Sequence, residues 1–197
     1  MGSFAFDREE TRKEISNSNE DLDDYKYRLL RLVDVQDGVI DYDNLLEIRK
    51  SDVPEIYFGK INGYDGFIQT GNLIIGKNDP TKISVATVDD DTKIIPTANF
   101  YVIKFDESKL DPWYVFAYLK SDDDILKRRM LTRTLPTLSR EAIESISIPF
   151  LDMDEQKRIG EEFKIRFDAV AKKKKELQKE SNELKKVFDI MTKDIKK

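Results

Sequence analysis

The last quarter of the chain carries an unbroken heptad pattern, which is typical of one long helix and not of a compact domain. The spacing of its apolar positions alternates between four and three residues, as in a coiled-coil seam. One set of seam positions comprises Phe163, Val170, Leu177, Leu184 and Met191, and the alternate set comprises Phe167, Lys174, Ser181, Phe188 and Ile195. We predict that these ten residues form a dimer interface.

The start of this helix is marked as clearly as its period. Pro149 ends the preceding segment, Asp152 can cap the first turn, and Glu155 stands in the capping-box position three residues later. No proline follows Asp152, so the helix could extend about 65 to 70 Å. The alternative for the first turns of this helix is that Ile159 and Phe163 pack against the domain that precedes the helix. Beyond Val170 the thin apolar stripe favours a two-helix seam.

Composition divides the chain into three parts and gives an α+β fold class. We predict a polar arm over 1–24, a β-rich domain over 25–150, and a coiled-coil helix over 151–197. The strand predictions are Tyr27–Val35, Glu55–Phe58, Phe67–Gln69, Leu73–Ile75, Ile83–Val88, Phe100–Phe105 and Ile146–Ile148, with turns at Asp37-Gly38 and Asp79-Pro80. The helix predictions are one starting at Asp111-Pro112, one from Asp122 to about Met130, and one from Ser139 to Glu144.

The residue inventory argues against an enzyme. The chain has no His and no Cys, which removes the commonest general base and the thiolate metal sites. It also lacks a phosphate-cradling or dinucleotide-binding glycine loop. The carboxylates of Asp89, Asp90 and Asp91 could hold Mg²⁺ near Lys93 in a nuclease, but a solvated turn is the better interpretation. We therefore predict no catalytic residue, metal or cofactor. We also expect a cytoplasmic location, since the sequence shows no membrane span or signal peptide.

Charge argues against a purely electrostatic nucleic-acid binder. The net charge is −5; from Asp152 onward 14 Lys and Arg face 11 Asp and Glu, which leaves 20 against 28, or −8, for the rest. Phosphate-binding domains usually carry a basic excess. The acidic residues, however, are clustered, and the segment Lys127–Arg140 is locally basic. We call this stretch the basic segment.

The basic segment is the first candidate for contact with DNA, since Arg can fork onto guanine and hydroxyls can bond backbone or bases. Its candidate residues are Lys127, Arg128, Arg129, Arg133, Thr134, Thr137, Ser139 and Arg140. Pairing of Arg128 and Arg129 with Asp122–Asp124 is the structural alternative. The glycine-rich stretch 59–66 is a second candidate, through Lys60, Asn62 and Tyr64, with a surface hairpin as its alternative.

Several motifs in order resemble one known family. Ser147–Ile159 joins Ile-Pro, an acidic turn and Glu-Gln to the long helix, and this resembles the conserved region of specificity subunits of type I restriction-modification systems. Pro136-Thr-Leu-Ser139, Asp111-Pro-Trp-Tyr114 and Gly71-Asn-Leu-Ile-Ile75 are similar to further segments of that family. The resemblance covers about residues 25–197. A glycine often found before Pro-x-Leu-Ser is absent, and Leu151 stands where a second proline is usual.

The resemblance implies a DNA-recognition half-subunit with one target-recognition domain and one of two antiparallel helices. Its expected partners are double-stranded DNA, a second copy of the chain, and methyltransferase subunits that hold S-adenosylmethionine, with restriction or translocase subunits as further partners. A different class stays open: a coiled-coil interaction or regulatory protein whose decayed recognition domain competes for assembly without reading DNA. The acidic body favours that alternative, whereas the basic segment favours the first.

Overall fold

The computed structural model describes residues 26–54, 57, 66–122, 124–130 and 136–193, with side chains described as far as Val187. Strands in small sheets precede a long C-terminal helix, so the α+β fold class is confirmed. The predicted arm over 1–24 and most of the predicted strand Glu55–Phe58 lie outside the described residues.

In the described ranges, eight strands form three small sheets. They are β1 Lys26–Leu30, β2 Val35–Gln36, β3 Val39–Ile40, β4 Leu46–Ile48, β5 Leu73–Gly76, β6 Ile83–Val85, β7 Thr92–Pro96 and β8 Phe100–Ile103. The strand orders are β4-β1-β7, β2-β3 and β6-β5-β8. Only the β1–β7 pair is parallel among the described strand pairs; the others are antiparallel.

The central strand β5 separates two regions of the core. Leu73, Ile74 and Ile75 are all almost fully buried, as expected of a strand covered on both faces. Ile74 packs into a cluster with Leu30 of β1 and Ile94 of β7. Its neighbours Leu73 and Ile75 point the other way, toward the helices, because successive side chains alternate across a strand.

Four helices complete the described chain: α1 Pro112–Ser121, α2 Asp124–Lys127, α3 Arg140–Glu144 and α4 Met153–Lys193. Three of them begin at the predicted caps. Asp111 Oδ1 accepts from the Tyr114 N–H at 2.8 Å, Ser139 Oγ from the Ala142 N–H at 3.1 Å, and Asp152 Oδ1 from the Glu155 N–H at 2.9 Å. With 41 residues, α4 is about 60 Å long.

The predicted turn at Asp37-Gly38 is observed, whereas the first predicted strand is longer than the observed one. Asp37 and Gly38 both have positive φ, 52° and 87°, which is the two-residue hairpin turn that Asp-Gly favours. The predicted strand Tyr27–Val35 ends at Leu30, because Arg31 and Asp34 close a 3₁₀ turn over Leu32–Asp34.

Other differences are of the same kind. Strands β6 and β8 are shorter than predicted, Phe67–Gln69 contributes only an isolated bridge from Ile68 to Ile94, and Ile146–Ile148 forms no strand. The predicted helix from Asp122 is limited to α2. Strand β7 has no sequence signal, since Lys93 and Pro96 break its alternation, yet it pairs with β1 over its whole length.

Candidate nucleic-acid interface and helix seam

The start of α4 is locked to the start of α1 by one buried amide. Gln156 is 1% exposed, and its Oε1 accepts from the Asp111 N–H at 3.0 Å. Its Nε2 donates to the carbonyls of Lys109 and Leu151, at 3.1 and 2.8 Å. Through these three hydrogen bonds the buried amide of Gln156 acts as a peg that joins the start of α4 to the start of α1.

One turn later, Gly160 lets the helices approach closely. A Cβ there would overlap Asp111 Oδ1 and lie 2.9 Å from the Tyr114 backbone nitrogen. Phe163 and Phe167 then stack on each other and meet the ring of Phe116 edge-on, with centroids 5.8 and 5.3 Å away. We call this contact between α1 and α4 the joint.

The joint changes the interpretation of two predicted interface residues. Phe163 and Phe167 pack on the chain's own α1, so the alternative of packing against the body describes this end of the seam. We therefore leave both out of the interface proposed below. Ion pairs continue the contact: Lys174 reaches Asp37 at 3.1 Å and Lys175 reaches Asp43 at 3.3 Å. The docked segment of α4 thus runs from Met153 to Lys175.

Three apolar seam residues of α4, one within the docked segment and two beyond it, are mostly exposed in the described chain. Val170, Leu177 and Leu184 are 53, 64 and 72% exposed, and every residue from Lys172 to Val187 is exposed. We call these three residues the free seam. Lys174 and Ser181 occupy the polar seam positions. Phe188 and Met191 continue the helix, but their side chains lie outside the described residues, as does Ile195 altogether.

Each described cation of the basic segment has a partner within the chain. Lys127 Nζ lies 3.4 Å from Asp124, and Arg128 lies 2.5 Å from Asp122, whose pKa it lowers by hydrogen bonding. Arg129 donates to the Ser145 carbonyl at 3.1 Å, and Arg140 pairs with Glu144 at 2.7 Å. The predicted pairing of Arg128 with the acidic run is therefore observed. Arg129 has a different partner from the one predicted.

These pairs are exposed and weak, so they do not exclude contact with phosphates. Ion pairs on a surface contribute little because water screens both charges. The hydroxyl of Ser139 is already used as the α3 cap, and Thr137 Oγ1 lies 3.4 Å from the Lys77 carbonyl. Arg133 and Thr134 lie outside the described residues, as do Lys60, Asn62 and Tyr64, so those predictions stay predictions.

Within the described ranges, no group of three or more carboxylates is placed to hold a metal ion. Asp91 of the triple-aspartate run instead pairs with Lys26, whose Nζ lies 3.5 Å away, and the Asp89 carbonyl closes a turn with the Thr92 N–H. No described helix is long and apolar enough to cross a membrane.

The positions of Gln156 and Gly160 relative to the heptad pattern are a sequence signal for the joint. They stand seven residues before Phe163 and Phe167, so they continue the two seam rows backward. A glutamine and a glycine in apolar rows indicate a close, hydrogen-bonded helix contact rather than an open seam.

Comparison of the sequence with known protein families and with curated proteins finds no match. Among solved structures, the fold is similar to that of one chain. That chain was solved in a study of the structural basis of complex assembly and conformational transition of the type I R-M system. The TM-score is 0.53 at 21% identity, over 79% of this chain and 40% of that one. The chain therefore spans less than half the length of this structural neighbour, and it shares its fold.

Proposed function

We propose that this chain is a DNA-recognition half-subunit of a type I restriction-modification complex. In this proposal the body over 25–150 is the target-recognition domain, and α4 pairs with a second copy as a spacer. The dimer reads two inverted half-sites and positions a methyltransferase. The chain itself carries no catalytic residue, and the partner subunits supply S-adenosylmethionine and the chemistry.

Two independent lines support this proposal. The motif order from Gly71 to Ile159 resembles specificity subunits, and the fold likeness to a chain of a type I R-M system arises from shape rather than sequence. The joint supports the resemblance, because the Glu-Gln pair of the resembling motif includes Gln156, whose buried amide connects α1 and α4.

The observation that carries the proposal is the free seam on a helix that continues past its own body. Val170, Leu177 and Leu184 expose apolar area at regular heptad spacing. Burying such side chains contributes roughly 1.5 to 3 kcal/mol each, which favours a second helix as cover. A second copy presents the same surface, so a two-fold symmetric dimer satisfies both chains at once.

The acidic body is compatible with DNA binding if the methyltransferase subunits supply most of the phosphate contacts. The pairs of Arg128 and Arg129 are exposed, so either guanidinium can exchange its partner for a phosphate or a base at small cost. In this arrangement the half-subunit contributes base discrimination, while affinity comes from the assembly.

A second candidate function rests on the same charges. If the intrachain pairs of the basic segment persist, the body presents little free positive charge, and the chain acts as an assembly competitor through α4 alone. The two functions differ in one respect: only the first makes a DNA methylation pattern depend on this body.

The test is methylome sequencing of the native host with and without this chain. We expect a bipartite motif with inverted half-sites that disappears when the chain is removed and returns when it is restored. Methylation that is unchanged by removal would contradict the recognition role. Methylation that increases on removal would establish the competitor instead.

A further inference from the structure

Three segments of the body converge at one end of the β6-β5-β8 sheet. They are the β5–β6 turn (77–82), the β7–β8 turn (97–99) and the stretch 136–139, and together we call them the loop cluster. The Lys77 N–H donates to the Asn99 carbonyl at 2.8 Å, and the Leu138 N–H donates to the Lys77 carbonyl at 2.7 Å. Lys77 thus joins all three segments.

The loop cluster is held rigidly by its own backbone and side chains. Asp79 Oδ1 accepts from the Thr81 N–H at 3.1 Å and from the Thr81 hydroxyl at 2.5 Å. Tyr101 donates its hydroxyl to the Leu138 carbonyl, and the Lys77 amine lies 4.9 Å from the Tyr101 ring centroid. A surface fixed in this way loses little conformational entropy when it binds a ligand.

Two asparagine side chains of the loop cluster are available to bind a ligand. Asn78 and Asn99 are exposed, and neither side chain makes a hydrogen bond within the described part of the chain. The Lys82 ammonium, half-exposed on the same turn, likewise has no carboxylate partner there. The basic segment differs in this respect, because its described cations are all engaged within the chain.

We propose that the loop cluster is a base-reading surface for double-stranded DNA, with Asn78 and Asn99 as its specificity residues. An asparagine amide offers a donor and an acceptor side by side, which fits the N6 and N7 groups of adenine in the major groove. Lys82 contacts a phosphate beside them. The inference rests on the proposed function and names, within it, the residues that distinguish one sequence from another.

The position of the loop cluster leaves the joint unobstructed. The other end of β5 lies near the start of α1, where a Cβ on Gly71 would lie 3.7 Å from Pro112 Cγ. The reading surface and the α4 contact therefore occupy opposite ends of one buried strand. DNA and the long helix do not compete for the same side of the body.

The test substitutes Asn78→Ala and Asn99→Ala singly in the chain of the native host and sequences the methylome. We expect each variant to lose discrimination at one adenine position, by roughly five- to 150-fold, while the spacer and other positions stay unchanged. The melting temperature should not change, since both side chains are exposed. Asn99→Asp removes the donor of the amide and should disfavour adenine at the same position.

Asn44→Ala is the matched control, because this exposed amide is already bonded to Asp41 Oδ2 at 2.7 Å. It should leave the motif intact. A motif unchanged in both test variants overturns the loop cluster as reader while the proposed function stands. Uniform weakening at all positions also overturns it, since that result indicates phosphate contact only. A wild-type host without a chain-dependent motif instead contradicts the proposed function itself.

Discussion

At the scale of single residues, two Arg–Asp pairs share the same chemistry and differ most in the burial of the carboxylate. Arg31 forks onto Asp34 at 3.0 and 2.7 Å, and Arg49 forks onto Asp52 at 3.0 and 3.2 Å, each across a 3₁₀ turn. The Asp34 side chain is 4% exposed and the Asp52 side chain 46%. Only Asp34 would therefore be left as a buried charge if its arginine were removed.

Arg31→Ala should accordingly lower the free energy of unfolding more than Arg49→Ala does. Burial by itself would raise the pKa of Asp34, but the side-chain and backbone hydrogen bonds from Arg31 lower it below its ordinary value. A carboxyl with a depressed folded-state pKa stabilises the fold above its unfolded pKa of about 3.9 and loses this contribution as pH falls through its folded pKa.

The measurement is urea unfolding of both variants and the wild type between pH 7 and pH 3. The difference between Arg31→Ala and wild type should shrink toward the acid end of that range. A pH-independent difference would mean that Arg31 acts by packing alone.

Gln156→Leu tests the peg in the joint. The substitution keeps the volume and removes the hydrogen bonds that Gln156 makes to the Asp111 N–H and to the carbonyls of Lys109 and Leu151, so we expect a loss of about 2 to 4 kcal/mol in unfolding free energy. Gln178→Leu is the control, since Gln178 is exposed on the same helix and bonds only Asn182. Equal effects of the two substitutions on chemical denaturation would argue against the peg.

At the scale of elements, the close approach of α1 and α4 in the joint decides whether Gly160→Ala stabilises or destabilises the fold. Gly160→Ala in an unpacked helix would stabilise by about 1 kcal/mol through helix propensity. Here the new Cβ meets the α1 backbone, so we expect destabilisation by about 1 to 3 kcal/mol. Glu161→Ala, at the neighbouring exposed position, should change stability by no more than about 0.5 kcal/mol. Thermal unfolding of both variants decides, and a stabilised Gly160→Ala would mean that the helices are farther apart.

The elements also show how far sequence reasoning extends. Caps at Asp111, Ser139 and Asp152 and the Asp37-Gly38 turn were predictable because their chemistry is local. The β1–β7 pairing was not, since about 60 residues separate the strands in sequence and Lys93 and Pro96 break the pattern. The unused amides of Asn78 and Asn99 were also beyond sequence, because only the fold brings the two turns together.

The free seam makes a prediction about association. Leu177→Asp with Leu184→Asp places two charges in the proposed dimer interface and should raise the dissociation constant by about two orders of magnitude or more. Lys172→Asp with Lys179→Asp, on the outer face of the same helix, should leave the dimer intact. Sedimentation over a concentration series measures both, and a wild-type chain that stays monomeric at high concentration would exclude the dimer.

At the scale of the whole molecule, α4 consists of two mechanical parts. The docked segment, from Met153 to Lys175, is fixed to the body by Gln156, the aromatic cluster and two ion pairs. Residues 176–187 are all exposed. In the proposed dimer only this second part can be shortened without disturbing the body, which locates the deletion that tests the spacer.

Removing Leu177–Glu183 deletes one heptad beyond the docked segment. The seam register is preserved, because Leu184 then takes the place of Leu177, and the rod shortens by about 10 Å. If two copies pair through antiparallel helices, the half-sites should stay the same while the spacer contracts by roughly three base pairs at about 3.4 Å each. Methylome sequencing of the native host carrying either chain measures the spacer directly. Deleting Phe163–Ala169 instead removes the aromatic contact of the joint and should abolish methylation through loss of the fold. A spacer that keeps its length after the Leu177–Glu183 deletion, with methylation intact, would show that α4 does not set the distance between half-sites.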